Sequence, residues 1–167
     1  MKFKFEHRFD VPVEELEQAM FAEDLPAFLQ EHMPSLKGIE VLERQDSENA
    51  IQRKVRYEPV PLIKKVGPKK VPPEAMIWVE QSKYDRSRHE MTFENMPTHP
   101  KVKNLMTNKG TVRLMASGSG SMRVLEGELK VSVPLLGRVA EKIIFKTAGK
   151  VVEEEAAALK KFIAEKK

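Results

Sequence analysis

The chain opens on a strict alternation. Phe3, Phe5, His7 and Phe9 interleave with Lys2, Lys4, Glu6, Arg8 and Asp10. This period of two predicts a half-buried strand over residues 2–10, because successive side chains of a strand leave on opposite faces. After Asp10 the period becomes helical. Val13, Leu16, Ala19 and Met20 recur at three- and four-residue steps, and Glu14, Glu15 and Glu17 sit where the positive end of a helix dipole favours them. Pro26 is expected to divide this region into two short helices. The second carries Leu25, Phe28, Leu29 and Met33 and ends at Pro34, since the residue before a proline avoids the helical region.

From residue 36 the pattern is strand-like again, with strands predicted at about 36–46, 49–57, 75–84, 87–96, 106–117 and 121–133. Short polar turns such as Asp46-Ser47-Glu48-Asn49 join them, so an antiparallel meander is expected. Gly118-Ser119-Gly120-Ser121 fits a tight hairpin, where glycine supplies the positive φ that such turns demand. Pro134 and Gly137 close the last strand, and residues 138–165 read as one long helix with a wide apolar stripe. A stripe that wide suits a helix cradled by a concave sheet. Gly149 in its middle costs about 1 kcal/mol relative to alanine, so close packing or room for a ligand is expected there.

Length and composition bound the classes. A chain of 167 residues suits one domain spanning 1–167, long enough to bury a core without staples. There is no cysteine, which removes disulfide scaffolds and thiolate metal sites. Met1-Lys2-Phe3-Lys4-Phe5 runs straight into charged residues, so no export signal is expected and a cytoplasmic location is the default. The net charge of +4 conceals an asymmetry. Residues 1–50 carry 5 basic and 12 acidic side chains, residues 51–133 carry 16 and 8, and residues 134–167 carry 8 and 5. Because the overall excess is small, nucleic acid is not an expected partner, while the basic middle suits an anionic surface.

The sharpest part of that middle is residues 59–73, where five prolines are expected to exclude a regular strand or helix. Leu62, Ile63 and Val66 interleave there with Lys64, Lys65, Lys69 and Lys70. Such a mix suits either a lid over a cavity mouth or peripheral contact with an anionic membrane.

One strand, two short helices, six antiparallel strands and a long C-terminal helix is the element order of the helix-grip fold. In that order the chain resembles the START-like (SRPBCC) superfamily along nearly its whole length. The strongest local pieces are Phe3-Lys4-Phe5-Glu6-His7-Arg8-Phe9-Asp10-Val11-Pro12-Val13-Glu14 and Val131-Ser132-Val133-Pro134-Leu135-Leu136-Gly137-Arg138-Val139-Ala140-Glu141. They look like strand-to-helix corners of a bacterial START-like subfamily of undefined function. The resemblance implies an α+β fold, with a curved seven-stranded antiparallel sheet wrapped around the C-terminal helix. It also implies a cavity between them that in relatives holds lipids, sterols, polyketides or other apolar ligands.

Taking the more apolar parity of each strand as inward, the wall of such a cavity would include Phe3, Phe5, Phe9, Ile51, Val55, Tyr57, Met91, Phe93, Val112, Leu114, Leu125, Leu129 and Val131. Ile144, Ala148, Val151 and Val152 of the last helix would face them. Polar residues at inward parity are His7, Arg53, His89 and Arg123, placed to orient a ligand carboxylate or phosphate, or else to reach solvent from strand ends. No Gly-x-Ser-x-Gly, His-Glu-x-x-His or phosphate-cradling loop is present, and no cofactor or metal is expected. The expected function is therefore binding of an apolar or amphipathic small molecule such as a lipid. The alternative is a cyclase or hydrolase in which His89 or His7 serves as acid or base. Glu141 and Glu155 share one side of the last helix, where solvated positions explain them most simply.

Overall fold

The computed structural model describes residues 1–167. β1 (Lys2–Phe9) leads into α1 (Val13–Met20) and α2 (Leu25–His32), followed by β2 (Leu36–Asp46) and β3 (Ala50–Pro59). A small ribbon of β4 (Lys65–Val66) and β5 (Lys69–Lys70) precedes β6 (Trp78–Asp85), β7 (Glu90–Pro97), β8 (Met106–Ser117) and β9 (Gly120–Val131), and α3 (Gly137–Glu165) closes the chain. The seven long strands form one antiparallel sheet in the order β1-β9-β8-β7-β6-β3-β2. Long strands adjacent in the sheet follow one another along the chain, except that β1 returns to pair with β9. This is the helix-grip arrangement expected from the element order.

The region divides into two short helices as expected, with Pro26 in the first turn of α2, where a missing N–H is no loss, and the break at Phe21–Asp24. Three local expectations are corrected. The strand expected from residue 75 begins at Trp78, because Pro72 and Pro73 open a 3-10 turn over Pro73–Met76 instead. Residues 87–89 belong to the β6–β7 turn, where His89 takes a φ of 49°, so this histidine is not on a strand. Lastly, the proline-rich stretch does hold regular structure. Its prolines fall outside the four paired residues of the ribbon, and Gly67 turns it with a φ of 59°.

Curvature has a local cause at the β8–β9 pair. Gly110 and Gly127 oppose each other in register. A Cβ added at Gly110 would stand 2.0 Å from the Glu126 carbonyl oxygen, and one at Gly127 would stand 2.5 Å from the Phe3 ring. Only glycine lets the strands coil this tightly. The sheet thereby wraps its inner face around α3.

The two halves of α3 are packed differently. In the C-terminal half Ala156, Ala158, Leu159 and Phe162 are buried, and the last three join a core that includes Phe9, Leu16, Phe21, Tyr84 and Leu114. In the N-terminal half Ile143, Ile144, Phe145, Ala148, Val151 and Val152 all keep part of their surface open. The helix rests chiefly on β9, α1, α2 and β4, and the central strands are not among its principal neighbours. Gly149 meets only the edge of the Phe5 ring, at 3.6 Å from where a Cβ would be. That is an ordinary contact, so this glycine is not forced by a clash; what it leaves is open space beside Phe5.

Candidate functional site

Register places the inward residues in rows across the sheet. Phe5, Leu125, Val112, Met91, Tyr84 and Ile51 are successive partners, as are His7, Arg123 and Leu114. A third row runs Phe3, Gly127, Gly110, Phe93, Ser82, Arg53, and a fourth runs Leu129, Asn108, Asn95, Glu80, Val55. Tyr57 and Trp78 pair beyond the fourth row, with rings stacked at 5.0 Å. Val131 also lies on this face, because it is two residues beyond Leu129. The strand residues expected at a cavity wall thus share one face, which is the face turned to α3.

The side of α3 that meets this face is fixed by hydrogen bonds at both ends. Glu141 accepts from the Val131 N–H at 3.0 Å, and Glu155 accepts from Arg123 at 3.0 Å and 2.5 Å. Positions seven apart recur on one helix face, so Ala148, midway between them, points at the sheet as well, and Phe162 seven residues further on is buried. Glu141 and Glu155 are therefore sheet-facing partners rather than solvated surface groups. Between Val131 and Arg123 the helix presents a small side chain, with Ile144, Val151 and Val152 beside it, to an inner face that is itself only partly covered at Phe3, Phe5, Tyr57, Trp78, Glu80, Asn95, Asn108 and Leu125. Neither surface is fully covered by the other, although Phe3, Tyr57, Leu125 and Val151 pack against the edge of the core. Val55, Met91, Phe93, Val112, Leu114 and Leu129 are buried, and Phe9 packs with the C-terminal half of α3 in the solid part of the core.

The four inward polar residues find different neighbours. Arg123 is buried and makes the two-pronged pair with Glu155. His7 is also buried. Its Nε2–H donates to Glu153 at 3.0 Å, and its Nδ1 accepts from Arg123 at 3.4 Å, so both ring nitrogens are engaged. Arg53 lies with its guanidinium 4.7 Å from the centre of the Phe21 ring, and its Nε has no hydrogen-bond partner. His89 donates from Nδ1 to Glu17 at 3.1 Å, and Tyr84 donates to the same carboxylate oxygen at 2.5 Å. Burial, then the bond to Glu17, pushes the Tyr84 phenol well above its ordinary range. Because His89 adjoins Leu114, and Leu114, Arg123 and His7 follow on successive strands, the two histidines are about 14 Å apart at the usual strand spacing. They do not converge on a common point.

Sequence reasoning passed over Glu80, Asn95 and Asn108. They alternate in phase with the apolar residues of β6, β7 and β8, and that parity was the available signal. Burial raises the Glu80 carboxyl above the ordinary carboxylate range; Arg53 opposes the shift and Glu155 adds to it. Burial likewise raises the Tyr57 phenol, with Glu80 adding to it. The inner face thus combines apolar walls with a few polar groups whose uncharged forms are favoured. The opposite face differs. Its groove, of about 780 Å³, is lined by side chains such as Gln52, Lys54, Gln81, Lys83, Glu94 and Lys109.

The ribbon approaches the N-terminus of α3. A Cβ at Gly67 would stand 3.2 Å from Leu136, which places the ribbon tip against the start of the helix. Lys64, Lys65, Lys69 and Lys70 are exposed, as is Leu62, whereas Val66 is half-buried and Ile63 is buried. No helix is long and apolar enough to cross a membrane.

Solved structures share this architecture. A protein of Thermus thermophilus superposes with a TM-score of 0.70 at 19% identity, covering 99% of this chain and 98% of that one. The Zhui aromatase/cyclase of a Streptomyces species, strain R1128, gives 0.61 at 15% identity, covering 99% and 92%. A START superfamily protein of Mycobacterium smegmatis gives 0.58 at 12%, covering 99% of each chain. At such identities the likeness is one of fold, and the fold is START-like. No curated protein matches the chain. The model of the family described as protein of unknown function, DUF2505, matches residues 4–163, and the chain belongs to that family.

Proposed function

We propose that the protein binds an apolar or amphipathic small molecule, of the lipid class, between the sheet and the first half of α3. One observation carries the reading: Ile144, Ala148, Val151 and Val152 on the helix and Phe5, Tyr57 and Leu125 on the sheet all remain partly open, whereas Ala156, Ala158, Leu159 and Phe162 in the second half of the same helix are buried. Packed interiors close such gaps unless something occupies them. Fold neighbours that include an aromatase/cyclase and a START superfamily protein support a small-molecule role. Each methylene buried there contributes about 0.8 kcal/mol, so an acyl chain suffices for affinity without elaborate polar chemistry. A cyclase or hydrolase reading has less support, because His7 is fully engaged and His89 stands apart from it. The single tryptophan, Trp78, stacks on Tyr57 at the cleft and reports occupancy directly. Titration with an uncharged ten-carbon alkyl probe is expected to shift its emission saturably; a linear, non-saturating response opposes the reading.

A second feature favours docking of the same end of the molecule on an anionic membrane. Leu135 is fully exposed at a φ of 66°, and Val60, Leu62, Leu105 and Val139 are exposed large apolar side chains. The Ser132 N–H donates to the Leu105 carbonyl and Gly67 abuts Leu136, which brings most of these residues together beside the four ribbon lysines. Apolar tips and ammonium groups are complementary to acyl chains and anionic headgroups, at about 1 kcal/mol per lysine. Replacing Lys64, Lys65, Lys69 and Lys70 with glutamine is expected to abolish co-sedimentation with phosphatidylserine vesicles at low salt. Undiminished co-sedimentation counts against the docking surface.

A further inference from the structure

The fourth row of the sheet is chemically unlike its neighbours. Glu80, Asn95 and Asn108 are consecutive cross-strand partners, and they sit between Val55 on one side and Leu129 on the other. Tyr57, one step along β3 from Val55 on the same face, lies diagonal to Glu80. Three adjacent polar side chains on an otherwise apolar inner face are costly unless their hydrogen-bonding groups are met. They are not met from within the chain. The Asn95 and Asn108 Oδ1 atoms are shielded and accept no hydrogen bond, and they are the only buried side-chain oxygens in the molecule left this way; the other buried atoms without partners are arginine Nε groups. Both asparagines keep part of their surface open, so rotation of the terminal amide turns its oxygen or its NH2 toward the cleft.

The charges around this row are arranged against an ionic guest. Glu155 on α3 adds to the upward shift of the Glu80 carboxyl and is already committed to Arg123 by two hydrogen bonds. An added anion would meet the Glu155 carboxylate and lose its water, with Arg53, lying over the Phe21 ring, as the one cation left to receive it. A cation would lose its water beside Arg53, with Arg123 and Glu155 already neutralising each other. An alcohol, phenol or carboxamide avoids both penalties and supplies the donors that the two asparagine oxygens lack.

We propose that Glu80, Asn95 and Asn108, with Tyr57 at their edge, form the polar seat of the cleft, and that this seat selects ligands whose head group is uncharged and hydrogen-bonding. The inference rests on the binding reading above and sharpens it: the natural ligand is a hydroxylated or amide-bearing apolar molecule rather than a free fatty acid or an alkyl amine. The apolar body lies against Leu129 and Leu125 on the sheet and Ala148 and Val151 on the helix.

The test compares heads on one chain length. Decan-1-ol, decanamide, decanoate and decylammonium are titrated into the intact protein, with Trp78 emission as readout. The neutral pair is expected to bind at least about tenfold more tightly than either ion. The Asn95→Leu/Asn108→Leu variant, checked for folding by circular dichroism, is expected to lose that preference while still taking up the chain, and Glu80→Gln, which leaves a polar side chain without charge in the row, is expected to retain it. Decanoate binding as tightly as decan-1-ol, or a preference unchanged in the double asparagine variant, overturns the seat. Failure of all four probes to bind the unaltered protein overturns the binding reading instead, so the two failures are distinguishable. Should the leucine pair fail to fold, Asn95→Asp and Asn108→Asp separately carry the test: each is expected to reverse the order of the ions in favour of decylammonium, and an unaltered order contradicts the proposal.

Discussion

Glu155→Ala is expected to lower the folding free energy by about 3 kcal/mol at neutral pH, measured by chemical denaturation. The reason is the asymmetry of a buried pair. Arg123 keeps only 7% of its side-chain surface and Glu155 keeps 27%, so removing the carboxylate leaves a guanidinium that neither water nor another acid reaches. Breaking such a pair by deleting one partner costs about 3–5 kcal/mol, and the partial exposure of Glu155 puts this case at the lower end. Two comparisons isolate the cause. Removing both charges with Arg123→Leu/Glu155→Leu is expected to restore most of the loss, because the uncompensated charge is gone. Glu153→Gln is expected to change stability by well under 1 kcal/mol, since the Glu153 side chain is 65% exposed although it also receives a hydrogen bond from the sheet. A Glu155→Ala variant as stable as the parent contradicts the account of how α3 is held.

The second large effect concerns binding. Ala148 faces the sheet midway between the two anchored turns of α3, so a large side chain there enters the proposed binding space without disturbing either anchor. Ala148→Phe is expected to weaken binding of a ten-carbon alkyl probe by about 100-fold. That loss corresponds to displacing three or four methylenes at about 0.8 kcal/mol each. Stability is expected to hold or rise slightly, because the ring fills space rather than overpacking it. If Ala148→Phe binds normally, the probe lies elsewhere; if it unfolds the protein, position 148 is already packed. Ala148→Leu, with a smaller side chain, is expected to give an intermediate loss and guards against the second outcome.

Most of the architecture was legible because it rests on local patterns. The alternation from Phe3 to Phe9, the helical repeat from Val13 and the glycine turn at Gly118 each specify an element within a few residues. Parity then put the strand residues of the expected wall on one face. Errors arose where a rule about one residue was applied without its position. The prolines of residues 59–73 were expected to forbid pairing that takes place between them. His89 looked like a strand residue because positive φ leaves no trace in periodicity.

The polar residues of the inner face were the least legible part. Arg123 and His7 could be flagged as inward charges, but their partners come from α3, more than thirty positions away for Arg123 and far more for His7. Nothing local in the sequence joins them. Glu80, Asn95 and Asn108 look like ordinary polar interruptions in three separate strands, and only the sheet register makes them one row. Division of α3 into a packed half and an open half is likewise invisible in its composition, since Ile144 and Val151 are as apolar as Leu159 and Phe162.

Native mass spectrometry of gently purified protein tests the central claim most directly. The account predicts a population heavier than the apoprotein by the mass of a lipid-like molecule, or uptake of one uncharged species from a total lipid extract, and loss of that population in Ala148→Phe. Protein that stays at the apo mass after exposure to the extract, or carries the same adduct when the cleft is plugged, contradicts it.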